Sequence, residues 1–234
     1  MNALDITVLC LILLYALNGM YRGFIPSILN LGGFFLSWVL SFLFYPLLAK
    51  GLIASDFFSS IQFYIEGAER IGNVELIRVP IATISGEELS SIMSTAKMPA
   101  PFNSAITKNI ETQAFASKGL TTLGEYFDMT IYCVMINIIA LVILFVGLRI
   151  LFTVAANAVS YASKFPQLRH YERVSGGVVS LIRGFFSMHM LFALIPIALI
   201  MLPIAPVTDL LNSSVASNLF YSGSLILRFI SGSI

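Results

Sequence analysis

Gly19-Met20-Tyr21-Arg22-Gly23-Phe24 is the stretch on which the fold turns. It separates two uncharged apolar runs, Ile6 to Tyr21 and Phe24 to Ala49. A membrane-crossing helix needs about 20 apolar residues, so the two runs are too long for one crossing and suited to two. The chain has to reverse between them, and Arg22-Gly23 is the break available. Gly23 can take a positive φ without steric cost. Gly19 and Gly23 also form a small-xxx-small pair through which another backbone could approach. For Gly23 the turn is the preferred reading, because Ile25-Pro26 follows. The residue before proline avoids the helical region, and proline suits a first helical turn.

Composition points the same way. The chain has 234 residues, of which 58% are hydrophobic and 11% charged, whereas about a quarter of a soluble domain is charged. Mean hydropathy is +0.91. A net charge of +1 gives no electrostatic ground for nucleic-acid binding. Two histidines and two cysteines leave little material for a metal site. Cys10 and Cys133 both lie in apolar runs, so no disulfide framework is expected. Asp5 is the only charge before Arg22, and a secretory signal would begin with basic residues. The first run is therefore read as a retained helix, Ile6 to Tyr21.

Working outward, a second helix is predicted from Pro26 to Leu48. Gly33, Ser37 and Ser41 recur every fourth residue and mark a packing face, and Trp38 reads as a packing residue. Residues 51–128 are more polar and amphipathic. Phe57, Ile61, Tyr64, Ala68 and Ile71 follow helical spacing. Ser85-Gly-Glu-Glu88 is a capping-box pattern ahead of Leu89, Ile92, Met93 and Ala96. Pro99 and Pro101 break the chain before a weaker helical pattern from Phe102 to Phe127.

A third helix is predicted from Met129 to Leu148, with Asp128 as N-cap and Asn137 bonded to a neighbouring helix. Its pattern continues through Arg149 to Ala162. Residues 163–173 form a basic connection with Lys164, Arg169 and Arg173. The fourth helix is predicted from Val174 to Leu202, with Gly176, Ser180 and Gly184 every fourth residue. Arg183 is expected to reach toward the cytoplasmic surface, because a cation at mid-depth snorkels or finds a partner. His189 reads as a packing histidine. A short helix from Thr208 to Phe220 is expected in the tail.

The positive-inside rule makes both residues 163–173 and the Arg22 turn cytoplasmic, which agrees with four crossings and both termini outside. The expected fold is an all-α integral membrane protein with four transmembrane helices as two hairpins plus a helical extracytoplasmic segment. The expected divisions are residues 1–50, the first hairpin; 51–128, the extracytoplasmic segment; 129–203, the second hairpin with its loop at 163–173; and 204–234, an extracytoplasmic tail.

Arg-Gly-Phe heads both the second helix, at Arg22-Gly23-Phe24, and the fourth run, at Arg183-Gly184-Phe185. A guanidinium there can sit among lipid phosphates while its stem covers apolar surface. Together with Asp5 ahead of the first span, Gly19-x-x-Arg22-Gly23-Phe24, the Arg173-x-x-Gly176 approach and Arg183-Gly184, this pattern resembles the CvpA family, named for colicin V production. The similarity extends over the four spans. It implies a multi-pass protein of the bacterial cytoplasmic membrane, linked to toxin production or export or to envelope maintenance. The residues that carry it are Asp5, Gly19, Arg22, Gly23, Phe24, Gly176, Arg183, Gly184 and Phe185.

The resemblance implies no catalytic, cofactor-binding or metal-binding residue. The expected partners are the lipid bilayer, other membrane or envelope proteins and a second copy of the chain. The alternative is a small oligomeric channel or transporter subunit lined by Asn137, Asn157, Arg183 and His189. An enzyme is not expected, since no phosphate loop, H-E-x-x-H, Cys-x-x-Cys or G-x-S-x-G motif occurs. Glu87 and Glu88 are better explained as charges at a helix N-terminus. For Asp5 two readings stand, pairing with a base in the outer segment or favouring a helix N-terminus.

Overall fold

The computed structural model describes residues 2–62, 65, 67–159, 171–201 and 205–234. Tyr64, Lys164, Arg169, Leu202 and Pro203, on which parts of the sequence reading fall, lie outside the described residues.

The described residues are helical and contain no strand. Helix α1, Ala3–Arg22, opens with a reciprocal cap. Asn2 Oδ1 accepts from the Asp5 N–H (3.1 Å), and Asp5 Oδ2 accepts from the Asn2 N–H (2.9 Å). It ends at Gly23, whose φ of 87° makes the turn predicted for it. Helix α2, Phe24–Ile53, follows at once. Ile25 is therefore helical, against the expectation that it would be extended. With the reversal completed at Gly23, Pro26 falls in a first turn, where its missing N–H leaves no bond unmade.

Helices α3 (Asp56–Ile61), α4 (Val74–Ile77), α5 (Gly86–Ala96) and α6 (Phe102–Glu111) make up the polar insertion. The single amphipathic helix expected through Phe57 and Ile71 is not formed. Helix α3 stops at Ile61, and Ala68–Ile71 is a separate 3-10 turn closed by Gly72. The cap expected at Ser85 is present: its side chain accepts from the Glu88 N–H (3.2 Å). Leu89, Ile92, Met93 and Ala96, which follow that cap in α5, are buried.

Helix α7, Leu123–Val159, starts six residues earlier than expected. Asp128 is thus inside the helix and is not its N-cap; it accepts from the Ala68 N–H (2.8 Å). The start is made by Thr122-x-x-Glu125. Glu125 Oε2 accepts from the Thr121 and Thr122 N–H groups (2.9 Å each), and Thr122 Oγ1 accepts from the Glu125 N–H (3.4 Å). The remaining helices are α8 (Glu172–Phe192), α9 (Ile195–Met201), α10 (Ala205–Asn212), α11 (Val215–Ser217) and α12 (Leu225–Arg228). The tail helix expected from Thr208 to Phe220 is interrupted, because Ser214 caps a new start by accepting from the Ser217 N–H (3.1 Å).

Four segments are long and apolar enough to cross a membrane: Ala3–Arg22, Phe24–Ile53, Leu123–Asn157 and Glu172–Met201. Their outer faces carry large apolar side chains, with Leu47 71%, Val154 64% and Leu14 60% exposed. Contiguous apolar surface of this extent is what hydrocarbon covers.

The chain divides into two compact units. The first comprises Met1–Tyr45, Leu141–Ala193 and Ile204–Ser224. In it α1 packs on α8, and aromatic rings interlock: Phe34 with Phe145 (centroids 5.4 Å apart), and Trp38 with Phe186 (5.8 Å). Trp38 is thus a packing residue, as read, and its Nε1 has no hydrogen-bond partner.

The second unit comprises Pro46–Ala140, Leu194–Pro203 and Leu225–Ile234. Its core is the first half of α7, where Leu123, Tyr126, Phe127 and Ile131 are fully buried with Phe102 and Ile106 of α6. Buried amides fasten the tail here. Asn109 Nδ2 donates to the Gly232 carbonyl (2.8 Å), and Asn137 Nδ2 donates to the Ser231 carbonyl (2.9 Å). Asn137 therefore bonds to the tail backbone and not to a neighbouring helix.

Candidate functional site

The sequence-derived motif residues meet in the first unit, along the line where α1 crosses α8. Small residues on both helices make the approach possible. A Cβ on Gly19 would collide with the Gly176 carbonyl and the Ser180 side chain. A Cβ on Gly176 would lie 2.5 Å from the Gly19 oxygen and 2.7 Å from the Gly23 carbonyl. One on Gly184 would lie 2.9 Å from Tyr15 Cβ. Going from Gly23 back to Tyr15 on α1 thus runs from Gly176 forward to Gly184 on α8. The two helices are antiparallel, and the Gly23 turn lies beside the start of α8. Gly23 is glycine for two reasons: its φ is positive, and a Cβ would come within 3.0 Å of Glu172 Oε1. Phe24 lines a cleft of about 50 Å³ there with Tyr171, Glu172 and Ser175.

The two Arg-Gly-Phe copies are placed differently. Arg22 ends α1, is exposed, and donates to Asn157 Oδ1 (3.4 Å). Arg183 is in the interior of α8 and only 7% exposed. It does not reach out to the surface as expected. Its guanidinium stacks on Tyr15, 5.1 Å from the ring centroid. Gly23 is a turn, whereas Gly184 is a helical contact residue. Phe185 joins a ring cluster with Phe220 (5.2 Å) and His189 (5.3 Å), so His189 packs among rings as read, but its Nδ1 is buried without a hydrogen-bond partner.

Asp5 acts at two helix starts. Besides capping α1, its Oδ1 accepts from Ser214 Oγ (2.7 Å) and from the Ala216 N–H (2.9 Å) at the head of α11. The helix-terminus reading is the one the structure bears out.

Arg149 and Asn30 were missed as a pair. Arg149 Nη2 donates to Asn30 Oδ1 (3.2 Å), while Asn30 Nδ2 donates back to the Pro26 carbonyl (2.8 Å). The signal was available: Arg149 is the one charge between Asp128 and Lys164, and Asn30 the one amide between Phe24 and Ala49. Isolated polar groups in two apolar helices need each other.

Arg149 and Arg183 fall in one neighbourhood: Asn30, which accepts from Arg149, follows Ser27 by one turn of α2, and Ser180, one turn before Arg183 on α8, lies 3.3 Å from Ser27. Arg149 Nη1 and Arg183 Nε are buried without a hydrogen-bond partner. A guanidinium stays charged, so it cannot escape the cost of burial by losing its proton. That cost is several kcal/mol per ion, against about 0.5–2 kcal/mol from the face of an aromatic ring. Ser27 and Ser180 face each other nearby, with their hydroxyl oxygens 3.3 Å apart.

Asn137, Asn157, Arg183 and His189, grouped in the sequence reading as a polar path, are each held by separate local contacts.

Against known families, residues 4–72 match the family model described as Colicin V production protein. The match takes in Asp5, Gly19, Arg22, Gly23 and Phe24. It is narrower than the four-span similarity expected, leaving Gly176, Arg183, Gly184 and Phe185 outside it. Neither the curated proteins nor the solved structures give a match.

Proposed function

From the premise that residues 4–72 carry a Colicin V production protein match, we propose that this multi-pass membrane protein acts in toxin production or export or in envelope maintenance. It does so in the bacterial cytoplasmic membrane and through protein contacts. The observation that carries the reading is the coincidence of the family match with the first two apolar helices and the glycine turn between them. The first helix of the matched stretch, α1, is the one that packs along α8.

Two hairpins with both ends outside remain the topology proposed. The antiparallel contact of α1 with α8 supports it, since the Gly23 turn and the basic approach to α8 then share one side. Residues 51–128 are proposed to lie outside and to be the surface offered to other envelope proteins. The test is deletion of the gene from its host, with toxin release and tolerance of membrane stress measured against a complemented strain. Altered release or tolerance, restored by the wild-type gene, is expected. A deletion strain indistinguishable from its parent in both measurements would overturn the reading.

A further inference from the structure

The geometry points to a binding site for a phosphate-class oxyanion, formed by Arg149 of α7 and Arg183 of α8 beside Tyr15. This goes beyond a role in protein contacts and rests on different residues.

Charge balance is the first ground. The described residues of the unit that holds the pair include Arg22, Arg149, Arg173 and Arg183, against Asp5, Glu172 and Asp209. Asp5 is committed to Asn2, Ser214 and Ala216. Among the described residues, no carboxylate bonds to or electrostatically offsets either arginine. Within this unit, the positions outside the described residues (1, 160–170 and 204) contain no Asp or Glu.

Donor geometry is the second ground. Arg183 is 7% exposed and its Nε is unpartnered; Arg149 is half-buried and its Nη1 is unpartnered. Buried donors normally find acceptors, and buried charges are paired. Two guanidinium groups held near one another repel, unless something negative lies between them. A planar guanidinium fork matches a phosphate better than a point charge does. Asn30 fixes Arg149 through Nη2 and Tyr15 fixes Arg183 from its face, so each guanidinium is oriented before any anion arrives. Within membrane-spanning segments such an anion is supplied either by a phospholipid headgroup or by soluble phosphate.

The test uses the full chain purified in a non-ionic detergent. Native mass spectrometry measures retention of added phosphatidylglycerol against diacylglycerol, which lacks the phosphate. Titration calorimetry measures inorganic phosphate against chloride. Phosphatidylglycerol retained without affinity for inorganic phosphate identifies the headgroup as the source, and affinity for inorganic phosphate identifies the soluble anion. In either case Arg149→Gln and Arg183→Gln should each weaken binding about tenfold, while exposed Arg173→Gln should not. The doubly lysine-substituted protein, Arg149→Lys with Arg183→Lys, keeps the charge and loses the fork; it should bind between the two. If the glutamine variants lose helicity, the wild-type and lysine measurements decide. Wild type that retains no more phosphatidylglycerol than diacylglycerol and binds no phosphate overturns the proposal. So does binding that Arg173→Gln weakens as much as Arg183→Gln.

Discussion

Gly176→Ala probes the seam between α1 and α8 most directly. The new methyl would meet the Gly19 oxygen at 2.5 Å and the Gly23 carbonyl at 2.7 Å. These are backbone atoms, so no side chain can rotate aside. Reaching ordinary contact at 3.4 Å requires the helices to part by about 0.9 Å, and a gap of that size forfeits roughly a quarter to a half of each dispersion contact along the seam. Overpacking of this kind costs about 1–3 kcal/mol. The helix-forming preference of alanine over glycine returns at most about 1 kcal/mol. In the opposite direction, Gly147→Ala in α7 meets nothing within 4 Å, so only the propensity gain of about 0.5–1 kcal/mol applies. Thermal melting of the detergent-solubilised chain, followed by far-UV circular dichroism, should show Gly176→Ala lower by about 2–8 °C and Gly147→Ala level or higher. Equal melting of the two variants would refute the reasoning, because it would mean that the close approach does not constrain the fold.

Other substitutions each remove the bonds of one side chain. Asp5→Ala removes the acceptor shared by Ser214 and Ala216; at about 1–3 kcal/mol, hydrogen exchange at the Ala216 amide should speed up by roughly fivefold or more. Unchanged exchange there would show that Asp5 does not hold the tail. Thr122→Ala removes the cap of α7 and should cost about 1 kcal/mol, read as lost amide protection at Glu125 while Asn137 keeps its own. For topology, in a background with Cys10 and Cys133 replaced by serine, Ser91→Cys and Ser222→Cys should react with an impermeant maleimide from outside and Gln167→Cys should not. The reverse pattern would invert the protein.

What could be read from the sequence was local. The turn at Gly23 follows from two adjoining apolar runs, and the Ser85 cap from a four-residue pattern. The α8 glycine spacing is likewise a property of one helix. What escaped were partners far apart in the chain. Thr122-x-x-Glu125 competed with Asp128 as a helix start, and the boundary fell where two reciprocal bonds outweigh one acidic residue. Asp128 was then free to bind the Ala68 amide, a contact 60 residues away in the chain. Asn137 and Ser231 are 94 residues apart, and Arg149 and Asn30 are 119. Periodicity says that an isolated polar residue in an apolar helix needs a partner; it does not say which. Arg183 misled for a related reason, since its likeness to Arg22 lies in three letters and its surroundings are set by Tyr15 on another helix.

The distance in sequence between Gly19 and Gly176 sets an order of events during synthesis. At roughly 5–20 residues per second, α1 would spend on the order of ten seconds or more with its glycine face bare before α8 has left the ribosome. Through that interval lipid, a chaperone or another membrane helix must occupy the groove, and α8 has to displace it. Asp5 completes its bonds later still, when Ser214 and Ala216 arrive. Helix α1, made well before α8, is among the last of these helices to be finished.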